Sequence, residues 1–103
     1  METESEPIVP VLFRVDSGGV TAVFPTEPGD YSGNMTCYAH VGQHSGCSFG
    51  WYLTTRAATP AEYADLKAEL ESIGYRLKVY RRLTRGHRAA LAAEVKRINT
   101  AFV

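Results

Sequence analysis

The chain predicts an α+β domain, a mostly antiparallel sheet of about five strands with two helices on one face, in the order ββββαβα. Three observations carry that expectation. The first half holds short segments rich in β-branched and aromatic residues, separated by glycine and proline. A capped apolar stripe of helical period follows, and then a basic alternating segment and a second helical pattern. At 103 residues the chain has room for one modest core.

Val11–Val15 alternates, with Val11, Phe13 and Val15 on one face and Arg14 on the other, and reads as a strand. Asp16-Ser17-Gly18-Gly19 is a turn, and Val20–Phe24 returns to complete a hairpin. Two prolines and two glycines punctuate Pro25–Asn34 as a loop. Met35–Val41 reads as the third strand. Gly42–Gly46 turns the chain, and Phe49–Thr55, with Trp51 and Leu53 in alternate positions, reads as the fourth strand.

Thr59 is placed to cap a helix, Pro60 suits its first position, and Glu62 completes a capping box. Tyr63, Leu66, Leu70 and Ile73 form its inner stripe, and Gly74 stands where a left-handed residue ends a helix. Tyr75–Arg82 is a strand with Tyr75, Leu77 and Val79 on one face. A second helix runs from near Thr84 to about Asn99, with Leu91, Val95 and Ile98 inward and Phe102 closing its end.

Met1–Pro7 carries Glu2, Glu4 and Glu6 and reads as a disordered acidic tail, leaving 8–103 as a single domain. It lacks the basic patch and apolar run of a signal peptide, and no stretch nears the roughly 18 apolar residues of a membrane span. A cytoplasmic protein is expected, with no membrane partner and with its two cysteines as free thiols or ligands. The net charge of zero divides unevenly. Residues 1–74 hold ten acidic and three basic side chains, whereas residues 75–103 hold eight basic side chains and Glu94. Packing of the acidic helix beside the basic segment would cancel much of this split.

Soft ligands and acid–base groups converge once, in Cys37-x2-His40-x3-His44-x2-Cys47. Zinc takes such residues, so Cys37, His40, His44 and Cys47 are the candidate metal ligands. Strand alternation opposes a four-ligand site, because Cys37 and His40 fall on opposite faces of an extended Met35–Val41. A thiol activated by a nearby imidazole would make an enzyme of the same cluster. No third orienting group and no nucleophile elbow accompany it. The bland alternative is a buried Cys37 beside a glycine-hinged turn braced by His40 and His44. No catalytic residue and no cofactor are therefore expected, with zinc as the alternative. The expected binding residues are Tyr38, His40, Gln43, His44 and Trp51.

Arg76, Lys78, Tyr80 and Arg82 share one face of the basic strand. Arginines there would contact phosphate and Tyr80 would stack a base, although such charges also protect a sheet edge from aggregation.

Two stretches, VTAVFPTEPGDYSGNMTCYAHVGQH and TTRAATPAEYADLKAELESIGYRLKVYRR, give the chain a further likeness. Over roughly Leu12–Leu83 it resembles a family of short bacterial, phage and plasmid proteins, a domain of unknown function. The most family-like positions are Phe24-Pro25, Tyr38, His40, Gly42, Gln43, His44, the Thr-x-Pro-x-x-x-Tyr helix start and Ile73-Gly74-Tyr75. The resemblance implies that the cysteines are dispensable while the His-x-Gly-Gln-His turn is kept, and it implies no activity. Carriage on mobile elements implies an accessory role toward a host, and the lack of a complete catalytic constellation together with the charge polarity points to a small non-enzymatic binding protein acting on a host protein. Nucleic-acid binding, and a metal- or thiol-dependent enzyme, are the alternatives.

Overall fold

Val11 to Arg14 and Ala22 to Pro25 are each four consecutive buried residues. A strand with one wet face cannot give that pattern, so both faces of the sheet must be covered. The computed structural model, which describes residues 7–30, 32–39 and 43–101 (side chains of 43, 44 and 101 aside), shows how. Strands β1 (Ile8–Asp16), β2 (Gly19–Pro28), β3 (Met35–Ala39), β4 (Gln43–Cys47), β5 (Arg56–Ala57) and β6 (Arg76–Tyr80) form one sheet. Its order is β4-β3-β2-β1-β5, with β6 also paired to β1. Helix α1 (Phe49–Tyr52) follows β4, α2 (Pro60–Ser72) joins β5 to β6, and α3 (Arg85–Ala101) ends the described chain.

The α+β class, the mainly antiparallel sheet and the broad element order agree with expectation. The placement of two helices on one face does not. Val11, Phe13, Ala22, Phe24 and Tyr38 pack with Leu66 and Leu70 of α2 in one core. Leu12, Val23, Met35, Cys37 and Cys47 form a second core with Tyr52 of α1, against which Leu91 of α3 packs. The molecule is thus a three-layer arrangement with the sheet between α2 and the α1–α3 pair.

Three local differences have local causes. The segment expected as the fourth strand, Phe49–Thr55, begins with α1. Ser48 caps that turn by accepting the Trp51 N–H at 3.0 Å, and Leu53 stays 65% exposed. The fourth strand lies earlier, at Gln43–Cys47, where a turn was expected; it pairs Met35↔Cys47, Cys37↔Ser45 and Ala39↔Gln43. The expected loop from Pro25 is still β2 as far as Pro28, because a register shift between Phe24 and Pro28 accommodates residues that cannot donate to a ladder.

Helix α2 starts as its sequence dictates. The Thr59 N–H donates to Glu62 Oε1 at 2.8 Å and the Glu62 N–H to Thr59 Oγ1 at 3.2 Å. Tyr63 stacks on Phe13 at 4.4 Å, whereas Ile73, expected inward, is 55% exposed beyond the last turn. Gly74, at φ +112°, ends the helix as expected. Strand β6 runs parallel to β1, from Ile8↔Arg76 to Leu12↔Tyr80, and puts the basic strand at a sheet edge.

Helix α3 is opened by Thr84, whose Oγ1 accepts the His87 N–H at 3.0 Å while its own N–H donates to His87 Nδ1 at 3.2 Å. A histidine therefore fills the place that Glu or Gln takes in a capping box. Of the residues expected inward on α3, Leu91, Val95 and Ile98 are half-buried; Phe102 lies outside the described residues.

Candidate functional site

Two concavities among the described residues open on the face shared by α1 and α3. The first is a groove of ≈ 580 Å³ between α3 and the β2–β3 end of the sheet. Pro25, Met35, Phe49, Leu83, Leu91 and Val95 supply its apolar lining. Arg88 and Lys96 supply its charge, and among the described residues no acidic one lines it. The Arg88 guanidinium lies 4.2 Å from the centre of the Phe49 ring, which fixes one cation at the mouth.

The second concavity, also ≈ 580 Å³, lies toward the far end of β3 and is more polar. Asp16, Thr21, Cys37, Ser45, Cys47 and Trp51 line it. Trp51 donates its indole N–H to Asp16 Oδ2 at 3.1 Å, and the Gly18 N–H donates to Asp16 Oδ1 at 2.8 Å. Cys37 and Cys47 are free and buried, and lie on adjacent strands of the same face. Cys37 Sγ is 3.3 Å from Ser45 Oγ. A hydrogen bond from Cys47 lowers the Cys37 thiol to about 6, Ser45 adding to the effect and burial opposing it. The same bond, joined by burial, pushes Cys47 up.

The expected binding residues separate accordingly. His40 lies outside the described residues. Gln43 and His44 are in β4, at register positions opposite Ala39 and Tyr38, and their side chains lie outside the description. Tyr38 was expected to meet a partner, and the structure corrects this. It is 3% exposed in the α2 core, where its hydroxyl donates to Glu69 Oε2. Trp51 does line a concavity, beside the two cysteines. Among the described residues no three His, Cys, Asp or Glu side chains group to hold a metal ion.

On the basic strand, Arg76 and Lys78 are exposed, and Arg82 is exposed just beyond it. Tyr80 is less available than a stacking platform requires. It meets His87 edge-on at 4.5 Å, and the Lys78 ammonium lies 5.4 Å from its ring.

Sequence reasoning missed the residues that shape this face. Arg14, expected on the face opposite Val11, Phe13 and Val15, is only 8% exposed. Its guanidinium donates to Thr55 Oγ1 at 2.8 Å, the Thr55 carbonyl at 2.8 Å and the Arg81 carbonyl at 3.2 Å, and lies 4.3 Å from the Tyr52 ring centre. The signal was the unbroken run Val11–Phe13, which alternation alone does not explain. The groove drew residues from four separate segments, and no local motif marks it.

The site is thus that of a small α+β domain with one apolar groove and one thiol-lined cavity. Comparison with family models, curated proteins and solved structures gave no match. Among the described residues no helix is long and apolar enough to cross a membrane.

Proposed function

We propose that this is a small cytoplasmic, non-enzymatic binding protein that acts on another protein, as an accessory factor of a mobile element directed at a host component would. The observation that supports it is the groove beside α3. An apolar concavity with few polar groups is the usual form of a binding site. Its cations at Arg88 and Lys96 suit a partner segment that presents apolar side chains flanked by carboxylates. The test is a photo-crosslinking amino acid placed at Ala92, which lines the groove, and at Ala64, exposed on α2. A discrete protein adduct at position 92 that is absent at 64 and lost in Arg88→Glu/Lys96→Glu is expected. Identical patterns at the two positions, or none at either, would reject the groove.

A second reading, nucleic-acid binding, has one observation in its favour. Arg76 and Lys78 at the sheet edge are followed by exposed Arg81, Arg82 and Arg85. It requires affinity for oligonucleotides that falls steeply as salt rises; salt-independent or absent binding excludes it.

A further inference from the structure

The groove makes no use of Cys37 and Cys47, and their arrangement narrows their chemistry. In the β3–β4 register Cys37 stands opposite Ser45 and Cys47 opposite Met35, so the two cysteines are diagonal neighbours on one face. Diagonal positions are about 7–8 Å apart, beyond the roughly 4.4–6.8 Å between Cα atoms that a disulfide closes. In the structure the pair is a free dithiol. Zinc in a structural site needs four ligands, and the described residues offer no third His, Cys, Asp or Glu grouped with these two. The nearest carboxylate on the cavity wall, Asp16, is already held by the Trp51 indole and the Gly18 N–H.

Two cysteines on one face of one cavity, with no third His, Cys, Asp or Glu grouped with them among the described residues, suit a different ion. Soft thiolate pairs select monovalent, thiophilic cations, which accept two ligands in line. The cavity that both cysteines line gives such an ion a path from solvent, past Thr21 and Ser45. We propose that Cys37 and Cys47 form a two-coordinate site for a soft monovalent cation, Cu(I) being the biological example. On binding, the Cys47 S–H proton, together with that of Cys37 wherever it is still protonated, passes to solvent and two thiolate–metal bonds form; no electron is transferred.

The test is anaerobic titration of the full chain with Cu(I) in competition with a chromophoric Cu(I) chelator, repeated with Ag(I) as a redox-inert ion. One ion per chain is expected, with X-ray absorption showing two sulfur neighbours. Cys37→Ser and Cys47→Ser should each lose binding while keeping the wild-type circular dichroism. His40→Ala/His44→Ala should keep both stoichiometry and the two-sulfur signature. If a serine variant misfolds, the histidine variant and the absorption spectrum decide the matter alone. No binding, one ion per two chains, or nitrogen neighbours lost in the histidine variant would each overturn the proposal.

Discussion

Cys37 and Cys47 show how one residue type acquires two characters from a single hydrogen bond. The bond favours the charged form of Cys37, held near 6, and disfavours that of Cys47. At pH 7 Cys37 should alkylate well before Cys47, with its rate falling as pH drops through about 6. Iodoacetamide labelling followed by peptide mass spectrometry measures this, and equal rates at the two thiols would contradict it. His87 is the second case. It is 7% exposed, its Nδ1 accepts the Thr84 N–H, and burial depresses its pKa. The neutral ring is the folded form, so its contribution is complete above about 6.5 and is lost as pH falls through the lower folded value. The urea midpoint of the wild type should therefore drop more between pH 7.5 and 5 than that of His87→Gln. Gly29 makes a third prediction. A Cβ there would strike the Met35 carbonyl and come within 2.8 Å of Gly46 Cα. Gly29→Ala should cost about 1–3 kcal/mol in denaturant unfolding.

At the scale of elements, Arg14 joins β1 to the segment after α1 and to the segment after β6. Its partners are two carbonyls, a hydroxyl and an aromatic face; among the described residues it meets no carboxylate. Arg14→Met keeps the apolar stem and removes the fork. It should destabilise the protein by about 2 kcal/mol or more, since hydrogen bonds from a charged donor are each worth about 1.5–3 kcal/mol. An unchanged unfolding midpoint would show those contacts to be idle. Elements differed in how far the sequence announced them. Helix α2 was legible because its capping box, N-terminal proline and Gly74 all lie within its own segment. Helix α1 was not, because Trp51 and Leu53 imitate a strand over a few residues while the Ser48 cap decides the turn. β5 is only two residues long, and its pairing with β1 is a tertiary fact.

Across the whole molecule, the decisive property is that β1 and β2 lie between two cores. Their amides should exchange hydrogen only on global unfolding, whereas those of β4, at the sheet edge with Ser45 and Gly46 exposed, should exchange by local opening. Equal protection of β2 and β4 would contradict this layering. The same property explains what the sequence hid about function. The cysteines stood out by type and spacing, but their shared face depended on where β4 begins. The groove exists only because α3 lies on the opposite side of the sheet from α2, and helical periodicity carries no information about which side a helix takes.

Burial on both faces also removes the usual guard against misalignment. In a sheet with one wet face, a slip of one residue drives apolar side chains into water. In β1 such a slip would exchange Leu12 for Val11 or Phe13, trading one apolar core for the other at little cost in hydrophobicity. Arg14 breaks that degeneracy. Its acceptors, at Thr55 and Arg81, lie on one side only. A slipped strand would set its charge among Phe24, Leu66 and Leu70 of the opposite core. Arg14, a buried cation of this sheet, thus acts as the key to its alignment, rejecting pairings that the apolar residues alone would accept.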